Sequence, residues 1–302
     1  MERIFEFIID ETSVSKTIRD FLKTHGFSSQ NIIALKKMPE SILVNEKWEY
    51  VSYCLKKNDR LTIHLQEQAG SEKILPVSLP LEIIFEDEDI LILNKPSGMP
   101  IHPSQNNYDN TLANAVAYYY ESKNIPFIFR CTNRLDRDTT GLTVLAKNMV
   151  SANLLSEMVR NRTMHREYLA IVDGIIPDSQ GTVTAPIARA ADSTIERCVN
   201  FEHGESAITH YQKLETSENN TLLLLALDTG RTHQIRVHMK YLGHPLIGDF
   251  LYNPDTRRIS RQALHSYRIS FLHPITGTAL SFTAPLPSDM REAMNISSDK
   301  YL

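Results

Sequence analysis

The apolar residues of this chain fall in short, dense runs separated by turn residues, and none of the runs is long. Leu222 to Leu227 is the densest. It reads as a buried strand, and the apolar run Leu142, Val144, Leu145 and Ala146 reads as a core strand. The first strand of a hairpin is expected at Glu82 to Phe85, its partner at Ile90 to Leu93, and its turn at Glu86-Asp87-Glu88-Asp89. His165 to Val172 reads as a further strand, and residues 183 to 213 add more. Helical spacing predicts a helix from Thr111 to Tyr120 (Leu112, Ala115, Val116 and Tyr119 on one face). A second runs from an Asn148 cap to about Arg160, with Leu154, Leu155 and Met158 inward. A third, capped by Thr232, ends before Gly243.

Residues 1–67 read as a separate small unit. Ser13 or Ser15 caps a helix to about His25, with Ile18, Phe21 and Leu22 on one face and Gly26 as its stop. Ser28 opens a second helix holding Ile32, Ile33 and Leu35, with Lys36 and Lys37 at its end. Strands are expected at Ile42 to Val44, Tyr50 to Leu55 and Leu61 to Leu65, with turns at Asn45-Glu46 and Asn58-Asp59. Residues 68–80 have the composition of a linker, residues 81–290 form the larger unit, and residues 291–302 read as a loose tail.

Composition narrows the function. With 302 residues, 42% apolar and 23% charged, two domains with proper cores are expected. A net charge of −4 rules out a chain-wide attraction to nucleic acid, so a polyanion would need a local patch. Residues 128–166 offer one, with Arg/Lys at 130, 134, 137, 147, 160, 162 and 166 against Asp/Glu at 136, 138 and 157. Three scattered cysteines suit neither a disulfide framework nor a zinc site. The acidic N-terminus lacks the apolar core of a signal peptide, and no run approaches the roughly 18 apolar residues of a membrane helix. A soluble cytoplasmic protein is expected.

The chemistry concentrates at residues 133–147. Asp136 lies between Arg134 and Arg137, followed by a tight turn through Thr139, Thr140 and Gly141 and then by an apolar strand. Several alternatives fit less well. His233 and His238 are five apart without an acid between them, so they are no zinc-hydrolase pair. Phosphate-loop and Gly-x-Ser-x-Gly patterns are absent. Asp136-x-Asp138-x-Thr140 satisfies the phosphoaspartyl phosphatase pattern, with Gly248-Asp249 as a possible magnesium acid. That pattern needs an apolar strand directly before the first Asp, whereas Arg130-Cys131-Thr132-Asn133-Arg134 stands there. Asp136 and Asp138, two apart, need not converge as a glycosidase pair would. The acids at 86–89 suggest a metal box, but a solvated hairpin tip is the expected reading, so no metal site is assigned.

Arg134-Leu135-Asp136 with Asp138-Thr139-Thr140-Gly141 resembles the catalytic motif of the RluA/RluD family of RNA pseudouridine synthases, with Asn133 where many members carry His. Arg166-Glu167-Tyr168-Leu169-Ala170-Ile171-Val172 is similar to the family's second motif, with Arg for Lys. Leu227-Asp228-Thr229-Gly230-Arg231-Thr232-His233-Gln234-Ile235-Arg236, with Gly248-Asp249, is similar to its third. Lys95-Pro96-Ser97-Gly98 and His102-Pro103 match the loop that borders the family's cleft. The resemblance implies an α+β fold, with a bent mixed, mostly antiparallel sheet flanked by helices. It implies Asp136 as catalytic carboxylate, Arg236 as its cationic partner (Arg231 second), and Tyr168 stacked on the target base. Arg134, Arg137, Arg231, His233 and Gln234 are then expected to bind substrate. The reaction is redox-neutral and no cofactor is expected. It breaks the bond between uracil nitrogen and ribose, turns the base and rejoins it through carbon. Whether the carboxylate attacks the sugar, removes its proton or adds to the ring stays open. The expected partner is RNA, with rRNA ahead of tRNA, and the expected state is a monomer. Residues 1–67 resemble an S-four-like RNA-binding module, though Asn45-Glu46 and Lys57-Asn58-Asp59 replace its usual Asn-Gly and Lys-x-Gly-Asp. A catalytically idle RNA-binding or ribosome-assembly protein is the competing reading.

Overall fold

The computed structural model describes residues 2–67, 70–71, 73–255, 257–297 and 301. The N-terminal residues form β1 (Glu2–Ile8), α1 (Ile18–Thr24), α2 (Ser29–Leu35), β2 (Ile42–Val44), β3 (Lys47–Trp48) and β4 (Arg60–Gln66), with the sheet order β1-β4-β2-β3. Ser28 caps α2 as expected, in a capping box closed by Asn31. Asn45 and Glu46 take positive φ in the hairpin turn, as does Asn58 in its own turn.

Two expectations for this unit are corrected, and one strand is added. Thr17, not Ser13 or Ser15, caps α1 by accepting the Asp20 amide. Tyr50 to Leu55 is not a strand. It is an irregular segment whose Val51 and Tyr53 carbonyls accept the Arg19 and Ile18 amides at the start of α1. The segment that supplies the missing strand is β1, which pairs along the whole of β4.

The larger unit contains β5 (Glu82–Glu86), β6 (Ile90–Lys95), α3 (Leu112–Glu121), β7 (Thr140–Ala146), α4 (Met149–Arg160), β8 (His165–Asp173) and β9 (Gln180–Thr184). It continues with β10 (Ile187–Arg189), β11 (Arg197–Val199), β12 (Ile208–Thr216), β13 (Asn220–Leu227), α5 (Gln234–Tyr241), β14 (Leu264–Leu272), β15 (Ala279–Thr283) and α6 (Ser288–Met294). Its nine-stranded sheet runs β5-β6-β7-β14-β8-β13-β12-β9, with β15 on β14. All pairings are antiparallel except β7 with β14.

Both faces of this sheet are covered, which explains why its strands read as continuous apolar runs. Leu91, Leu93, Leu145, Ala170, Val172, Leu223 and Leu225 pack on one side with α3 and α5. On the other side Ile90, Ile92, Leu142, Val144 and Ala146 meet Leu155 of α4. Leu169, Ile171 and Leu222 meet Met290 and Met294 of α6.

That last contact corrects the loose tail, because residues 288–294 are a helix seated on the sheet; residues 298–300 and 302 lie outside the described residues. The expected linker is also docked where it is described. Ser71 bonds Phe127 and Phe129, the Val77 amide reaches the Asn114 carbonyl, and Ile74 and Leu79 pack on the main core.

The acidic turn at 86–89 is not a solvated tip. Glu86 accepts Lys147, Tyr119 and Tyr120. Asp87 meets His273, and the buried Asp89 accepts Arg3, Asn148 and Ser151. The Arg3 bonds, with Leu154 packed against the N-terminal core, fasten the small unit to α4 and the hairpin.

Candidate active site

The Asp136 loop is anchored on β7 from both sides. The buried Asn133 side chain donates to the Leu142 carbonyl at 3.2 Å and accepts the Val144 amide at 2.7 Å. On the far side the Thr139 amide closes a turn onto the Asp136 carbonyl. β7 then begins, and Gly141 has a φ of +104°, where a Cβ would overlap the Ser266 backbone of β14. Lys95 Nζ ties the loop to the proline-rich segment, donating to the carbonyls of Pro96 (2.8 Å), Met99 (2.9 Å) and Arg137 (2.8 Å). Burial pushes this lysine down to about 7, against the pull of Asp138 and Asp136.

Opposite Asp136, Arg236 is the third residue of α5. Its Nη1 donates to Asp136 Oδ2 at 2.9 Å. Its Nε and Nη2 both donate to Asp249, at 2.7 Å each. Arg236 is 2% exposed and Asp249 is 0% exposed, so this pairing is dry. Burial alone would lower the guanidinium, but Asp249 and then Asp136 hold it well above its ordinary value. Thr232 does not cap α5. The N-cap is His233, in the left-handed conformation at φ 56°, without a side-chain cap bond. Gln234 holds the turn instead: its Oε1 accepts Thr229 and the Arg231 amide, while its Nε2 donates to the Ile208 carbonyl and to Thr209.

These elements enclose a cleft of about 840 Å³, within the size range of small-molecule sites. Asp136, Tyr168, Arg134, Arg231, His233, Gln234 and Arg236 all line it. Tyr168 is buried on β8; burial pushes its phenol up, with Arg166 opposing and Asp136 adding. His233 Nε2 stands 3.7 Å from Asp136 Oδ2, and burial lowers its imidazole against the pull of Asp136.

Two expected substrate contacts are revised. Arg137 is outside the lining and folds back on Asp138 at 2.9 Å. Gln234 lines the cleft, but both ends of its amide are spent on the turn and on β12. Arg231 is exposed and paired with Glu205.

The basic patch is also rearranged. Arg130 binds Glu67 and Lys147 binds Glu86, away from the cleft. Arg134, Arg160, Arg162 and Arg166 remain, joined by Arg231 and Arg236 from the third motif, against the lining acids Asp136 and Asp228. In the sequence Asp249 stands out only as a possible magnesium acid and as part of the third motif's Gly-Asp pair. Its pairing with Arg236 also removes the phosphatase arrangement, because a guanidinium stands between Asp136 and Asp249.

A carboxylate held by a fixed cation in an arginine-lined cleft suits an enzyme that works on a polyanion. Residues 89–241 match the RNA pseudouridylate synthase family. The uncharacterized RNA pseudouridine synthase YjbO of Bacillus subtilis is 39% identical over 274 residues, covering 91% of this chain and 96% of the relative. Ribosomal large subunit pseudouridine synthase D of Escherichia coli is 38% identical over 252 residues, covering 78% and 75%. The structure of human RNA Pseudouridylate Synthase Domain Containing 1 aligns with a TM-score of 0.59 at 26% identity, covering 69% of this chain and 84% of that one. The chain belongs to the RNA pseudouridylate synthase family. It is an isomerase acting on RNA, and none of its described helices is long and apolar enough to cross a membrane.

Proposed function

We propose that this enzyme converts uridine to pseudouridine in large-subunit ribosomal RNA, with Asp136 as its catalytic carboxylate. The observation that carries the assignment is the 2.9 Å bond from Arg236 to Asp136 at the floor of the cleft. A pocket dry enough to hold a flipped base disfavours a bare carboxylate, and a fixed guanidinium offsets that penalty and keeps the group ionised. Tyr168 offers its ring to the extruded uracil, and the arginines along the cleft hold the flanking phosphates. The glycosidic N1–C1′ bond breaks, the base turns, C5 bonds to C1′, the C5 proton leaves to solvent, and N1 takes up a proton in its place. Atoms and charge then balance without a redox partner. The choice of ribosomal RNA rests on the relatives named for the large ribosomal subunit. We assign the N-terminal unit, with Lys36 and Lys37 after α2, to RNA binding, and the working form to a cytoplasmic monomer.

Asp136→Asn tests the assignment on RNA carrying 5-tritiated uridine. Tritium release is expected to vanish while RNA binding stays near wild type; unchanged release overturns it. Pseudouridine mapping in a deletion strain then identifies the target. A full set of modified sites there would favour the idle RNA-binding protein instead.

A further inference from the structure

Tyr252 lies beyond the 89–241 family match and touches both groups that face Asp136. Its hydroxyl is 2.9 Å from His233 Nδ1, and its ring lies 5.0 Å from the Arg236 guanidinium carbon. Its own amide donates to Asp249 Oδ1 at 3.2 Å, which seats the residue on the same carboxylate that fixes Arg236. The hydroxyl also accepts the Arg197 amide of β11 at 2.9 Å.

We infer that Tyr252 is a positioning residue that fixes His233 in the tautomer with its proton on Nε2, so that His233 presents one N–H donor to an oxygen of the bound nucleotide. Two observations lead there. Tyr252 is buried, and among the described residues its hydroxyl has no partners besides the Arg197 amide and His233 Nδ1. The Arg197 amide is a donor, so the phenolic proton has only Nδ1 to go to. If Nδ1 donated instead, that proton would be buried without an acceptor. Independently, Nε2 faces the Asp136 carboxylate, where a protonated nitrogen is favoured and a lone pair is repelled.

The ring stays neutral, because burial lowers it although Asp136 and Asp249 oppose, with Arg236 and Arg197 acting alongside burial. Burial likewise pushes the Tyr252 phenol up to about 12, which keeps the relay's proton in place. At 3.7 Å, Nε2 is too far from Asp136 to spend its proton there, so the donor remains available inside the cleft. The left-handed backbone of His233 aims the ring, and Tyr252 sets which nitrogen is the donor.

This inference rests on a nucleotide occupying the cleft, but its first test does not. Nitrogen-15 spectra of the full-length free protein, with the His233 signals assigned by their loss in His233→Asn, are expected to show a protonated Nε2 and an unprotonated Nδ1. In Tyr252→Phe, which keeps the ring over Arg236, the two tautomers are expected to mix. A proton on Nδ1 in the wild type overturns the inference, as does an unchanged tautomer in a folded Tyr252→Phe. If that variant does not fold, the wild-type spectrum decides alone. On RNA, loss of one hydrogen bond is expected to lower turnover about 3- to 10-fold with binding unchanged; a loss confined to RNA binding would contradict the donor role. Active Asp136→Asn would defeat the proposed chemistry and leave the tautomer result standing, so the two failures are separable.

Discussion

Asp249 accepts two of the Arg236 donors at 2.7 Å each, which leaves Nη1 to reach Asp136. The cation opposite the reactive carboxylate is therefore held by a second, fully buried carboxylate before any RNA arrives. Such preorganisation matters because no reorientation is needed once the base enters and water leaves.

Asp249→Asn tests this. The variant keeps the shape but turns a paired acid into a neutral amide facing a buried guanidinium. Turnover is expected to fall on the order of 100-fold. Breaking the buried pair is expected to cost about 3–5 kcal/mol of stability in urea melts. Wild-type turnover in a folded variant would show that Arg236 needs no such support.

The sheet beside the site carries a pH dependence of its own. Burial pushes the His265 imidazole down to about 4, with the Ala284 carbonyl opposing and Arg261 adding. The folded value lies below the unfolded 6.5, so between them the unfolded chain binds the extra proton and stability rises with pH. The contribution is present above about pH 6.5 and is lost as pH falls toward 4, by about 3 kcal/mol. Urea midpoints measured between pH 4.5 and 6.5 should slope upward in the wild type and flatten in His265→Gln, which removes the ring between Thr140 and Ala284. Equal slopes would exclude His265 as the origin.

The local parts of this architecture were readable from the chain. Asn148 was expected to cap α4 and does, because its oxygen accepts the Val150 and Ser151 amides, a bond set by sequence spacing. Asp136, Tyr168 and Arg236 converge on one cleft as their motifs implied. What escaped depends on partners far away in the chain. Asp89 looked like a loop-tip acid because nothing nearby announces Arg3, 86 residues away, as its partner. Asp249 reads in sequence as a possible magnesium acid within the third motif, and only the fold, by setting α5 against it, shows that it holds Arg236. β1 shows only Phe5 buried, so its strand character comes from pairing with β4 rather than from its own pattern. Met290 and Met294, one turn apart, were the one sign of α6 and too short a signal to separate from a tail.

Gly141 joins fold and site directly. It occupies φ +104° where β7 and β14 run parallel, immediately after the Asp136 loop. Gly141→Ala adds both a left-handed strain and a Cβ against the Ser266 backbone. The strain alone is of order 1–3 kcal/mol. Because the β7 start must shift, turnover should fall together with thermal stability, with the loop amide of Thr139 losing exchange protection first. A variant as stable and active as wild type would mean that the strands separate there at little cost.

The last prediction concerns how RNA is gripped. Arg166 sits two residues before Tyr168 on β8, lines the cleft, and has a buried Nε with no hydrogen-bond partner among the described residues. A buried donor left unmade is costly, which is understandable if the bound strand completes it. A backbone phosphate next to the stacked base would fit the guanidinium fork. Arg166→Ala should then weaken RNA binding about tenfold at low salt and make the salt dependence shallower by about one phosphate, a slope change of roughly 0.7–1. Turnover at saturating RNA should stay within about twofold. Arg166→Lys should keep the slope, since the charge remains, and still lose affinity, since a point charge cannot reproduce the fork. If the alanine variant binds more weakly but with the wild-type salt slope, Arg166 contacts a base or a sugar instead of a phosphate.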